Sequence, residues 1–251
     1  MELNRIEHRR SDGGSVHHVT VPGGAWDRRT AQELVAVAAE LREDRSARVV
    51  TLAAREAPFC AGPDPDLDPT TGFDPDPAAA WAALRPPVVA VVAGDCLSVG
   101  LEVVLAADIR VCGPEAVFAL PDLAAGRLPC WGGTQRLARA VRPAEASAMV
   151  LLGRPVAAER AAALGLVHAV AADLQPATLS ALADELVATL LQRGPLALEL
   201  AKEAVHRGAE LPLRDGLRLE GDLNHQLAAT ADRAEGLAAF FDKRPPDFAG
   251  R

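Results

Sequence analysis

The chain has 251 residues, with 26 basic against 34 acidic side chains and a formal net charge of −8; 49% of residues are hydrophobic and 24% charged. That balance belongs to a globular chain able to bury a sizeable core, and it excludes a disordered one. Apolar runs such as Val88–Ala93 fall far short of the roughly 20 residues that a membrane-spanning helix needs. The acidic balance argues against a nucleic-acid partner, because phosphate binding calls for a basic face.

In chain order, Met1–Asp12 is polar and lacks an apolar signal core, so the expected location is cytoplasmic. Val16–Val21 reads as a strand. Arg29–Glu43 carries Leu34, Val37, Ala38 and Leu41 at helical spacing. Arg48–Ala53 and Val88–Ala93 are short apolar strands, and between them Pro63–Pro77 is a loop rich in proline and aspartate. Gly100–Ala107 predicts a helix; Ile109–Cys112, Val117–Leu120 and Val167–Val170 predict strands. From Asp173 to Phe241 the pattern is almost wholly helical, broken at Gly194-Pro195, Gly208 and Pro212. Strands separated by helices imply an α/β fold with parallel pairing. The expected organisation is a core over residues 1–190 and a helical region over 191–251.

Cys60, Cys96, Cys112 and Cys130 form no C-x-x-C pair and sit near no histidine cluster, so reduced thiols and no metal site are expected. Tyrosine is absent and lysine occurs only at Lys202 and Lys243, which shortens the list of possible catalytic groups. No G-x-G-x-x-G fingerprint is present, and no dinucleotide or other cofactor is indicated.

Three segments carry candidate chemistry. Phe59-Cys60-Ala61-Gly62 follows a strand. Ala93-Gly94-Asp95-Cys96-Leu97-Ser98-Val99-Gly100-Leu101-Glu102 runs from a strand through a turn into a helix, where unpaired N–H groups can stabilise an oxyanion. Glu102 lies in that helix's first turn, where an acid is also ordinary. Phe118-Ala119-Leu120-Pro121-Asp122 supplies a second carboxylate in what otherwise reads as a turn or N-cap. Pro129-Cys130-Trp131-Gly132-Gly133-Thr134 then opens a helix, with Thr134 as candidate cap.

Together these stretches, Phe59–Asp64, Pro86–Glu102, Phe118–Gly126 and Pro129–Leu137, closely resemble the motifs of the crotonase, or enoyl-CoA hydratase/isomerase, family. Leu152-Gly153-Arg154 with Ala161–Val167, and the closing Glu235–Phe248, extend the resemblance over nearly the whole chain. The resemblance implies a spiral of ββα units with C-terminal helices that build trimers or dimers of trimers. It implies an acyl-CoA substrate, no further cofactor, and an oxyanion hole of two backbone N–H groups. Glu102 and Asp122, the latter in place of glutamate, fall on the two carboxylates that hold the water. Val99 falls on one oxyanion donor and Pro63 on the other. Ala61, Gly62, Leu97, Gly100, Pro121, Trp131, Gly132 and Lys243 fall on substrate-binding positions.

The sequence departs from the family pattern at several of these places. Pro63 has no N–H to donate; losing one such donor costs roughly 2.7–4 kcal/mol of transition-state stabilisation, unless the Asp64 amide takes its place. Asp66 stands where a lysine near the CoA phosphates is frequent, with Arg28 or Arg29 as possible substitutes. The N-terminal loop is shortened to Pro22-Gly23-Gly24-Ala25-Trp26. Ser98-Val99-Gly100 replaces three glycines and Trp131 replaces a small residue, both narrowing the acyl pocket, and Asp95 stands where an aromatic is frequent. The expected activity is hydration of an α,β-unsaturated acyl thioester. The alternatives are a specialised homologue (an isomerase, a C–C hydrolase, or a biosynthetic enzyme on a carrier-bound or free acyl group) and a non-catalytic pseudoenzyme.

Overall fold

The computed structural model describes residues 3–67 and 75–251; of the predicted proline-rich loop, residues 68–74 lie outside the described residues. In chain order the elements are β1 (Glu7–Ser11), β2 (Val16–Val21), β3 (Ala25–Trp26), α1 (Arg28–Glu43), β4 (Val49–Ala54), β5 (Gly62–Pro63), α2 (Pro77–Ala82), β6 (Val88–Val92), β7 (Asp95–Leu97), α3 (Val99–Val104), β8 (Ile109–Cys112) and β9 (Val117–Ala119). A 3-10 turn (Pro121–Ala125) follows, then α4 (Gly133–Ala140), α5 (Pro143–Leu151), β10 (Val156–Ala157), α6 (Ala158–Leu164), β11 (Ala169–Val170), α7 (Pro176–Leu191), α8 (Pro195–Gly208), α9 (Leu213–Ala228) and α10 (Ala231–Asp242).

The chain divides into two units, and the division falls inside α7. The first runs to Leu84 and from Val88 to Asp184; the second comprises Arg85–Pro87 and Glu185–Arg251. In the first, a six-stranded sheet has the order β1-β2-β4-β6-β8-β11, parallel throughout except for the antiparallel edge pair β1–β2. Its interior strands, Val-Val-Thr-Leu-Ala-Ala and Val-Val-Ala-Val-Val, are nearly continuous apolar runs, as strands covered on both faces must be. A second sheet has the order β10-β9-β7, and β3 pairs with β5. Successive turns of the chain thus lay one strand in each sheet, as a spiral of ββα units does.

α1 buries Leu34, Val37, Ala38 and Leu41 on one face. The indole N–H of buried Trp81, on α2, donates to the Leu34 carbonyl at 3.1 Å and pins the two helices together. Asp27 caps α1 by accepting from the Thr30 N–H at 2.7 Å and from the Thr30 hydroxyl. Buried Glu33 accepts the N–H groups of Asn4, Arg5 and Ile6, with Arg29 Nε beside it at 2.6 Å. Arg29 thus forms an i,i+4 ion pair with Glu33 on α1.

β1, polar in sequence, is an edge strand. Asp95–Leu97, which reads as a turn, is the strand β7, and Thr134 lies inside α4 behind its true cap, Gly132. In the second unit, Lys202 Nζ donates to the Pro86 carbonyl at 3.0 Å and Arg85 pairs with Glu199 at 3.0 Å. Buried Asp232 accepts the Ala249 and Gly250 N–H groups and fastens the C-terminal tail. Leu213, Leu217, Phe240 and Phe241 are exposed. Among the described residues no helix is long and apolar enough to cross a membrane.

Removal of the α1 cap by Asp27→Ala is expected to lower unfolding free energy by about 1 kcal/mol or somewhat more, because the Thr30 amide loses its acceptor. A urea titration measures it; an unchanged midpoint would show that the cap contributes nothing.

Candidate active site

β7 and β9 pair in parallel, with Cys96 opposite Phe118 and Leu97 opposite Ala119. Their C-terminal ends therefore leave the sheet side by side. The first continues through Ser98 into α3, the second through Leu120 into the turn that holds Asp122. The Ser98 N–H donates to the Ala119 carbonyl at 3.0 Å and clips the two exits together. Sequence neighbours 20 residues apart (122 − 102) thereby enter one site.

Glu102 is 1% exposed. Its Oε1 accepts the backbone N–H groups of Trp131 and Gly133, each at 2.8 Å. This approach needs a glycine: a Cβ on Gly133 would stand 2.9 Å from both Cγ and Oε1 of Glu102. Gly132, at φ 90°, makes the left-handed turn that aims the two amides. Burial pushes the Glu102 carboxyl up to about 7, and the charge of Asp122 adds to the rise while the two amides oppose it.

Asp122 is 2% exposed. Its Oδ1 accepts the Ser98 hydroxyl at 2.5 Å, and the Arg127 guanidinium stands 3.8 Å from the same oxygen. Oδ2 is buried with no hydrogen-bond partner among the described residues. The Trp131 indole nitrogen and Arg127 Nε are likewise buried and unpartnered there.

Val99 is the first residue of α3, so its N–H has no acceptor within the helix. Gly100 is demanded by packing: a side chain there would overlap Cβ of Cys60. Cys60 is buried, and the desolvation raises its thiol to about 12, which leaves it inert.

The loop opposite is different from expectation. Pro63 pairs with Trp26 in the β3–β5 ladder and offers no N–H. The Asp64 N–H is already spent on the Trp26 carbonyl at 2.8 Å, so Asp64 does not take over as a donor. The Ala61 N–H is held by the Gly24 carbonyl at 2.9 Å, and the Gly62 N–H meets the Cys60 sulfur at 3.4 Å.

Leu97 is partly buried, with its N–H on the Cys60 carbonyl; Pro121 begins the 3-10 turn before Asp122; Trp131 is fully buried. Asp66 and Asp95 are exposed. Lys243 caps α10 in the second unit, at φ 54°. Sequence reasoning treated Ser98 only as a change of pocket size and missed Arg127 altogether. The one available signal was a hydroxyl at a position patterned for glycine.

A family model described as enoyl-CoA hydratase/isomerase matches residues 22–251. The chain is 42% identical over 175 residues to the 2,3-dehydroadipyl-CoA hydratase of Escherichia coli (strain K12), covering 68% of this chain and 67% of that protein. It is 36% identical over 232 residues to the human mitochondrial enoyl-CoA hydratase domain-containing protein 2, covering 87% and 79%. The crystal structure of an enoyl-CoA hydratase from Bacillus anthracis superimposes with a TM-score of 0.89 at 28% identity, over 99% of this chain and 100% of that one.

The raised Glu102 carboxyl carries a stability signature. Between its ordinary value of 4.5 and about 7 the folded state holds a proton that the unfolded chain has lost, so stability falls as pH rises through this window. Glu102→Gln keeps the acceptor for both amides and removes the titration. Relative to the unmodified chain it is expected to gain on the order of 3 kcal/mol between pH 4.5 and pH 8. Parallel denaturant titrations at the two pH values measure this; a pH-independent difference would contradict it.

Proposed function

The chain belongs to the enoyl-CoA hydratase/isomerase (crotonase) family and has its fold, and from that premise we propose that it adds water to, or removes it from, an α,β-unsaturated acyl-CoA thioester. The observation that supports this reading is a buried glutamate with its carboxyl raised to about 7 beside a second buried carboxylate that keeps one oxygen unpartnered. The thioester carbonyl oxygen takes the Val99 N–H. A water lies between Glu102 and Asp122 Oδ2. Glu102 removes a proton from the water as its oxygen bonds to the β-carbon. The double-bond electrons move toward the α-carbon and the carbonyl oxygen, where the Val99 amide stabilises them. Glu102 then returns the proton to the α-carbon and is regenerated. A group near pH 7 exists in both forms and suits both transfers. Asp122, already an acceptor of the Ser98 hydroxyl, serves as the second water ligand rather than the proton donor.

The reading uses no metal or redox cofactor. The four cysteines, none of them disulfide-bonded among the described residues, support a reducing, cytoplasmic setting. Exposed Leu213, Leu217, Phe240 and Phe241 support assembly of the helical unit into a trimer or a dimer of trimers.

The engaged amides of Ala61 and Asp64 favour a second reading: a specialised family member whose substrate needs only one oxyanion donor, or a chain that has lost turnover. The two are separated by incubation with a panel of trans-2-enoyl-CoA thioesters, following loss of the conjugated-enoyl absorbance. Hydration is expected, with kcat/KM rising with pH through about 7 as Glu102 loses its proton. Glu102→Gln is expected to lower it by 10²–10⁴. No turnover across the panel sinks the hydratase reading in favour of the second.

A further inference from the structure

The proposed chemistry uses one oxygen of Asp122 and leaves the other unexplained, on a serine. Ser98 has φ 49° and ψ −123°, a conformation that residues with a Cβ rarely adopt and glycine takes freely. A serine there is strained, and what it adds over glycine is a hydroxymethyl group. The hydroxyl donates to Asp122 Oδ1 at 2.5 Å, in a pair whose members are each 2% exposed. Asp122 is one methylene shorter than the glutamate of the family pattern, and Ser98 reaches across to it from the neighbouring strand exit. With Oδ1 held by Ser98, and Arg127 on the same side, Oδ2 is left as the unpartnered oxygen.

We propose that Ser98 is a positioning residue for the second carboxylate: its hydroxyl fixes Asp122 to the turn that carries the Val99 amide, so that Oδ2 and the oxyanion donor keep one geometry. The inference rests on the hydratase reading above. It assigns Ser98 no contact with substrate; Ser98 acts through Asp122.

Two variants separate this role from a merely structural one. Ser98→Gly removes the hydroxyl and relieves the backbone; Ser98→Ala removes the hydroxyl and keeps the strain. Ser98→Gly is expected to melt at a higher temperature than Ser98→Ala, yet both are expected to lose about 10- to 100-fold in kcat with KM changed by less than about threefold. In an Asp122→Ala background, Ser98→Gly is expected to change kcat by less than about threefold, because the group it positions is gone. Combining Ser98→Gly with Asp122→Glu is expected to recover most of the lost kcat, since the longer side chain no longer needs the hydroxyl. Wild-type kcat in Ser98→Gly, or additive losses in the double variant, overturns the positioning role while leaving the hydratase reading intact. No turnover by the unmodified chain overturns the hydratase reading, and the positioning role with it.

Discussion

The parallel pairing of β7 with β9 is only three residues long, yet it brings the segments that carry Val99, Glu102 and Asp122 together. Because Leu97 lies against Ala119, the two strands end at the same level and their exits run side by side. One exit becomes the first turn of α3 and aims Val99 and Glu102; the other becomes the turn that holds Asp122. A slip of one residue would turn the side chains of one strand to the opposite face and separate the carboxylates. The Ser98 N–H on the Ala119 carbonyl and the Ser98 hydroxyl on Asp122 tie the exits twice from one residue, once through backbone and once through side chain.

Opposing influences set the proton affinity of Glu102. Burial disfavours its charge, and Asp122 nearby disfavours it further; the Trp131 and Gly133 amides favour it. A side chain at position 133 would stand 2.9 Å from Cγ and Oε1 of Glu102 and force the carboxylate to shift. The result is a group with a proton affinity near neutrality, maintained at the expense of stability at neutral and higher pH. The cost falls on the sheets and α1, where long apolar runs and the Glu33 and Asp27 networks supply a rigid frame.

The longer elements were legible in the residues themselves: β2 and β8 fall at the predicted limits, and α1, β4 and β6 within a residue of them. Of the strands of two or three residues, β9 was read one residue too long and β11 two residues too early, while β3, β5, β7 and β10 were not read, since too few positions exist to show a period; β1 was hidden by the polar side chains of an edge strand. The resemblance marked Glu102, Asp122 and Val99, and the strand pairing accounts for why they meet. It did not disclose that the Asp64 N–H is spent on the Trp26 carbonyl, because that partner lies far off in sequence. Nor did it disclose the Ser98–Asp122 bond, which depends on a backbone conformation that no serine advertises.

The proline at position 63 then has a geometric meaning. In a parallel ladder a residue opposite its partner is bridged through the groups of its neighbours, and Asp64 supplies that bridge to Trp26. Pro63 needs no N–H for the pairing, which is why the ladder tolerates it. The N–H it lacks is the one the pairing would have left free for a ligand. Asp64 cannot replace it, because its N–H points at β3 and breaking that bond would undo the β3–β5 pair. On the hydratase reading proposed above, the oxyanion is left to the Val99 N–H, at a cost of roughly 2.7–4 kcal/mol against a two-donor site. On that reading, compensation comes from groups fixed around the thioester carbonyl and the water, and the Ser98 turn, bonded through its N–H to Ala119 and through its hydroxyl to Asp122, connects those two places.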